Sequence, residues 1–531
     1  MATDKTSALV LRSSFVAALG GLLFGFDTAV ISGTTDAFQR VFELDPKGWA
    51  LGFTVASALI GTILGAATIQ FPSNRFGRKP TLIMIALLYL ISAIGSAFPW
   101  DWYSFIFFRF LGGIGVGGAS VVSPLYTAEI APPKRRGFLV ALTQFNIVFG
   151  ILLAYVSNYA ITAFNLGDNA WRWMFGMEAI PAFCFLVALL FNPESPRWLA
   201  TKKRYEEAKR LLVRLMLDEN EAEKELAAIK ESLAEEERSV GKERLFCRRY
   251  RIPILLAVAI AAFNQLSGIN TIMYYAPMVF RMAGASEQTA MFFPAIIGLT
   301  NLVFTVIALF CIDRFGRKKL MYVGSIGYIT SLAFVGFMFT KYSAEFGASL
   351  ARLETETSAA TAHETQAMEF VDPEKAQETA STPITFDGSM ASHALEESTI
   401  TDAVASAVPQ IGIVGVLIGL MVFIMAHAFG QGACIWVFIS EIFPNAVRAQ
   451  GNALGCFTHW ILNAIIAQLF PVCIRAFGPA AIFYTFAVFM VLQLLWVAFV
   501  MPETKGVPLE DMMKKLGVDS GEGERAVGAA E

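Results

Sequence analysis

Asn74-Arg75-Phe76-Gly77-Arg78-Lys79 returns later in the chain as Asp313-Arg314-Phe315-Gly316-Arg317-Lys318. Each copy lies between long apolar runs. A second phrase also repeats: Glu129 precedes Arg136 in AEIAPPKRRG, and Glu441 precedes Arg448 in SEIFPNAVRA, seven residues apart both times. A third closes each half, PESPRWL from Pro193 and PETKG from Pro502. Three phrases repeated in one order mean a duplicated membrane unit. Such duplication points to a carrier with its site between two halves.

The offsets locate an insertion. The first phrases lie 239 residues apart, the second 312 and the third 309. The extra length falls between Lys318 and Glu441, where residues 341–405 are rich in Ser, Thr, Ala and Glu without periodicity. This stretch holds twelve acidic residues against three basic ones. Its composition reads as a disordered tether.

Of 531 residues, 55% are hydrophobic and 16% charged, against about 25% charged in soluble domains. Apolar runs of roughly 20 residues, enough to cross a bilayer, number about twelve. The hydrophilic block 197–250 splits them six and six. The expected fold is therefore all-α: twelve transmembrane helices in two six-helix bundles. Its parts are an N-terminal bundle (1–192), a helical linker (193–251), a C-terminal bundle (252–512) carrying the insertion, and a tail (513–531). The first apolar run reads as a spanning helix rather than a removable leader. Basic clusters at 75–79, 134–136, 197–251 and 314–319 fall on one side if the helices alternate. Both termini and these loops are then cytoplasmic, and the insertion is outside. The net charge of −3 gives no sign of nucleic-acid binding. The six cysteines show no metal or disulfide spacing. No cofactor, no metal and no nucleophile–base constellation is read here.

Asp27 lies in the middle of the first apolar run, where a carboxylate is costly and by default marks an ion or proton path. Arg109, opening the fourth run, is its natural counter-charge. Amides interrupt the later runs, and amides facing lipid would be expensive. Amides both donate and accept, as sugar hydroxyls require. Aromatic rings suit the apolar faces of sugars. The glycines of GGIGVGG (112–118) follow no strand, so they mean close helix packing rather than a nucleotide loop.

GGLLFGFDTAVISG (20–33), RFLGGIGVGGASVVSPLYTAEIAPPKRRG (109–137), PESPRWL, FNQLSGINTIMYYAP (263–277), DRFGRKKL and PETKG closely resemble the sugar porter family of the major facilitator superfamily. The resemblance covers residues ~9–340 and ~408–512. It implies that Asp27 and Arg109 form a proton-coupling pair. It nominates Phe24, Gln144, Asn264, Gln265, Asn270, Tyr274, Asn301, Trp436 and Trp460 for the sugar. It implies that Arg78, Glu129, Arg136, Arg317, Glu441 and Arg448 form a cytoplasmic charge network that joins the halves in one state and parts in another. Three positions depart from the family pattern. Ile151 replaces the Gln of a pentose-carrying member and matches the apolar residue of glucose carriers. Asn264 shortens a Gln-Gln pair, and His459 stands where Gln or Asn is usual. The resemblance implies proton-coupled uptake of a hexose or pentose, working as a monomer in the plasma membrane. A uniporter or a polyol–proton symporter is the alternative. A sugar sensor is more remote, since the segment after Lys505 is short.

Overall fold

The computed structural model describes residues 8–45, 47–132, 135–164, 166–216, 218–239, 244–343, 410–444 and 446–518. The insertion therefore falls, apart from its first residues, outside the described residues. In hydrocarbon every backbone polar group needs an internal partner, so each apolar run closes into a helix. Among the described residues eleven helical stretches are long and apolar enough to cross a membrane. The N-terminal ones are α1 (Ala8–Val30), α2 (Trp49–Thr68), α3 (Arg78–Ala97), α4 (Trp102–Ile130), α5 (Arg136–Ala163) and α6 (Ala179–Leu190, led in by Ala170–Gly176). The C-terminal ones are α7 (Arg251–Leu266, continued by Ile269–Tyr274), α8 (Glu287–Phe315), α9 (Arg317–Lys341), α10 (Gln410–Phe429, continued by Gln431–Glu441) and α11 (Arg448–Phe499). The 52 residues of α11 are broken at Gly478, whose φ of 78° and ψ of 161° are not helical. Its two arms stand for the eleventh and twelfth apolar runs.

Glycines set the spacing inside the N-terminal bundle, as the 112–118 stretch led one to expect. A Cβ at Gly113 would lie 1.9 Å from the Ala58 carbonyl oxygen, and one at Gly117 would lie 2.2 Å from that of Thr62. Backbone thus meets backbone along α2 and α4. The same holds for Gly25 of α1 against α5. In the C-terminal half α9 packs on α10 and α11, and α7 packs on α11. The halves meet along α2 with α11 and along α5 with α8. These contacts gather at the end remote from the basic loops. There Gln468 Nε2 donates to the Trp49 carbonyl (2.9 Å) and Tyr155 donates to that of Met273 (2.9 Å). Arg281 pairs with Asp36 at the same end.

The repeated phrases converge into one cluster per half. The Glu194 carboxylate accepts from the backbone amides of Arg78 (2.9 Å) and Lys79 (3.2 Å), capping the start of α3. Glu503 accepts from those of Arg317 (3.0 Å) and Lys318 (3.1 Å), capping the start of α9. Gly77 (φ 108°) and Gly316 (φ 86°) turn the chain into these helices. A Cβ at Gly77 would sit 2.2 Å from Glu194 Oε2. Beside each cap an arginine holds the acid of the second phrase. Arg78 Nε reaches Glu129 at 2.8 Å, and Arg317 Nη2 reaches Glu441 at 2.9 Å.

The two caps differ electrostatically. Burial raises the Glu194 carboxyl above the usual carboxylate range despite its amide donors. Burial acts on Glu503 in the same sense, but four backbone donors (Lys505, Arg317, Lys318 and Thr504) outweigh it and hold the carboxyl below that range. Folding therefore favours the ionised form of Glu503 and disfavours that of Glu194. The contribution of Glu503 is present above the unfolded carboxylate pKa and fades as pH falls through its lower folded value. Glu503→Gln should accordingly cost more than Glu194→Gln at pH 7, with loss of a cap worth about 1 kcal/mol. Melting temperatures of the two variants in detergent check this, and the opposite order would refute it.

Candidate transport site

Asp27 and Arg109 are each 2% exposed and form an ion pair between α1 and α4. Arg109 Nη2 also approaches the Asp27 carbonyl oxygen at 3.4 Å. Its guanidinium lies over the Phe175 ring, 5.2 Å from the centroid. A third ionisable group completes the cluster. Glu178, at the start of α6, is 1% exposed, and its carboxyl faces that of Asp27. The buried Tyr89 hydroxyl, without a hydrogen-bond partner among the described residues, lies within electrostatic range of both acids. Two carboxyls and one guanidinium are neutral together only when one carboxyl holds a proton. Two bare carboxylates at such range are disfavoured. Glu178 escaped the sequence reading, although its signal was that of Asp27: a lone acid within an apolar run.

The amides form a second cluster, on the C-terminal half. At the end of α7 the Gln265 side chain donates to Asn264 Oδ1 (3.0 Å) and lies 3.0 Å from His459 Nδ1. Asn270 Nδ2 donates to Gln265 Oε1 (3.2 Å). Asn463 Nδ2 donates to the Tyr274 hydroxyl (2.9 Å). Gly268 breaks the helix between these residues with φ 81°, which lets both segments turn side chains to one place. His459 stands between two indoles, with ring centroids 5.3 Å from Trp436 and 5.1 Å from Trp460. Trp436 is 42% exposed. His427 was also missed. It bonds the Tyr328 hydroxyl at 2.6 Å and faces Gly432 at the junction of α10 with its continuation.

Not every nominated residue joins these clusters. Ile151 is buried in the core of α5, whereas Gln144, two turns earlier, is exposed. Asn301 is buried in α8, with its Oδ1 taken by the Thr305 hydroxyl (3.3 Å). Of the six network residues, Glu129 and Glu441 are held by Arg78 and Arg317 of their own halves. Arg136 pairs with Glu225 of the linker (3.3 Å), and Arg448 donates to the Phe443 carbonyl (3.2 Å).

The two clusters touch. Phe24 of α1 lies 5.7 Å from Trp460, centroid to centroid. A cavity of about 20 Å³ is lined by Asp27 and Arg109 on one side and by Tyr274 and Trp460 on the other. Such a volume holds about one water.

Two bundles around a buried charge cluster and an amide-and-indole cage define a multi-pass membrane transporter, not an enzyme. A family described as "Sugar (and other) transporter" matches residues 13–353 and 391–516, and the chain belongs to it. It is 34% identical to the D-xylose-proton symporter of Escherichia coli (strain K12), over 96% of each chain. It is 33% identical to the arabinose-proton symporter of Bacillus subtilis, again over 96% of each. Probable inositol transporter 2 of Arabidopsis thaliana is 33% identical over 96% of this chain and 91% of that one. Among solved structures, the partially occluded inward-open conformation of the xylose transporter XylE from E. coli superposes with a TM-score of 0.72. That match has 32% identity and covers 94% of this chain and 100% of the other. XylE bound to 6-bromo-6-deoxy-D-glucose gives a TM-score of 0.69 at 32% identity, over 96% and 100%.

Proposed function

We propose that this sugar transporter is a proton-coupled symporter of a monosaccharide, hexose or pentose, working by alternating access. The shared cavity carries the reading: a proton-holding cluster and a sugar cage border the same small space. A proton on the Asp27–Glu178 pair alters the charge next to Tyr274 and Trp460, and a sugar seated on those residues alters the solvation of the pair. Each occupant thereby biases the other's binding, which is what coupling requires. Closure at one end and the exposed Trp436 support a state open towards the basic loops, which we assign to the cytoplasm together with both termini. The chain works as a monomer in the plasma membrane, with 1–192 and 252–512 as its moving halves. The cytoplasmic acids and arginines exchange partners between states.

Uptake of labelled xylose, arabinose, glucose and inositol into proteoliposomes, with and without an inward proton gradient, tests the proposal. Gradient-dependent accumulation of a monosaccharide supports it. Equilibration without accumulation would make the chain a uniporter. Accumulation of inositol alone would favour a polyol symporter, a reading the inositol relative keeps in view.

His459 provides a narrower test. Neutral imidazole donates at one nitrogen and accepts at the other, whereas the protonated ring only donates. Protonation also adds charge to a cage for a neutral sugar. His459→Gln should therefore keep transport and abolish an acid-side loss of sugar affinity. Binding is measured against pH in the Asp27→Asn background, with and without the second change. Superimposable curves would leave His459 a packing residue.

A further inference from the structure

A cleft of about 470 Å³ opens between the start of α3 and the linker helices, far from the central site. Its walls include Phe76, Pro80, Trp198 and Arg204, and the linker helix Tyr205–Met216 adds Arg210 and Arg214. That helix buries Ala208, Leu211, Leu212 and Leu215 and turns its arginines outward. Two acids also line the cleft, but both are engaged. Glu194 caps α3. Glu207 is held by Arg204 through two bonds of 2.7 and 2.5 Å. Arg210 and Arg214, one turn apart and exposed, form no ion pair or hydrogen bond among the described residues. Among the described residues the cleft thus keeps two guanidinium groups without a hydrogen-bonded partner, of which Arg210 also feels the charge of Glu207.

Its surroundings locate it at the edge of the bilayer. Phe76 of its wall is 55% exposed, Phe71 at the other end of the same short helix (Gln70–Phe76) is 69% exposed, and Arg75 lies over both rings. Lys79 reaches back to the Leu190 carbonyl at the last turn of α6. Aromatic rings with basic side chains just beyond them mark a headgroup boundary. Basic clusters next to such a boundary attract anionic headgroups.

We propose that this cleft binds the phosphate of an anionic phospholipid, held by Arg210 and Arg214 against Trp198, with its acyl chains running out over Phe76 and Phe71. Arginine suits the role because its planar fork meets two phosphate oxygens at once. A soluble phosphate would use the same fork but not the aromatic rim.

The test uses the full-length protein in detergent and a fluorescent phosphatidylglycerol. Arg210→Gln with Arg214→Gln should weaken binding about thirtyfold, as expected for two arginines near an anionic surface. Lys514→Gln with Lys515→Gln removes equal charge elsewhere and should change nothing. An unchanged melting temperature and unchanged sugar binding would confirm that the fold is intact. Phosphatidylethanolamine and inorganic phosphate should compete poorly. Equal lipid affinity in the arginine variant would overturn the site. Displacement by inorganic phosphate at matched concentration would overturn the lipid as its occupant.

Discussion

Asp27→Asn is expected to exchange sugar across a membrane at near the native rate and to accumulate none against a gradient. The reason is a charge count. Asp27, Arg109 and Glu178 together need one proton to be neutral. With asparagine at 27, Arg109 and Glu178 balance without it, so the carrier can reorient whether or not a proton has bound. Asparagine keeps the shape and an acceptor for Arg109, which leaves the amide cage undisturbed. The same count gives the same outcome for Glu178→Gln. Counterflow and gradient-driven uptake, measured on one preparation, separate exchange from coupling. Native-like accumulation by Asp27→Asn would remove the residue from the coupling step.

Gly25→Ala is expected to be among the most damaging single-methyl changes in the chain. The added Cβ would lie 1.8 Å from the Ile147 carbonyl oxygen and 2.9 Å from the Ile151 amide nitrogen. Both are backbone atoms of α5, so no rotamer change relieves the clash and the helices must separate. The cost should reach the upper end of overpacking, about 3 kcal/mol. Phe24 and Asp27 would move with α1. Gly137→Ala is the control, since a Cβ there meets nothing within 4 Å and alanine favours a helix. Yield and melting temperature of the two variants decide the point. Equal behaviour would mean that α1 and α5 are not locked at Gly25.

The architecture was legible because duplication and apolar run length are properties of order along the chain. The twelfth run was legible in the same way, although α11 passes from one arm to the other through Gly478 with little interruption. Asp27 and Arg109 could be paired because each stands alone in an apolar run. Partners among the cytoplasmic charges could not. The repeated seven-residue step from Glu129 to Arg136 marked both as network members but did not show which charge each meets. Glu129 meets Arg78, 51 positions away. The role of the acids in PESPRWL and PETKG was equally hidden. Capping α3 and α9 is a tertiary contact, and neither phrase contains the amides it serves. The amide cage was nominated through resemblance; the break at Gly268, which gathers it, becomes meaningful only in three dimensions.

The most deeply buried ions, Asp27, Arg109 and Glu178, lie within one bundle, on α1, α4 and at the start of α6. A body that rocks must slide along α2 with α11 and α5 with α8, and the contacts there are glycines, apolar side chains and a few hydrogen bonds to carbonyls. One pair across the divide, Arg281 with Asp36, is partly in water, with side chains 20% and 41% exposed. Such a pair is worth about 0–1 kcal/mol. The two least exposed ion pairs described above, Asp27–Arg109 and Arg78–Glu129, each stay inside one half. If the halves rock as proposed, Asp27, Arg109 and Glu178 would ride inside one of them and the sliding surface would carry none of the three.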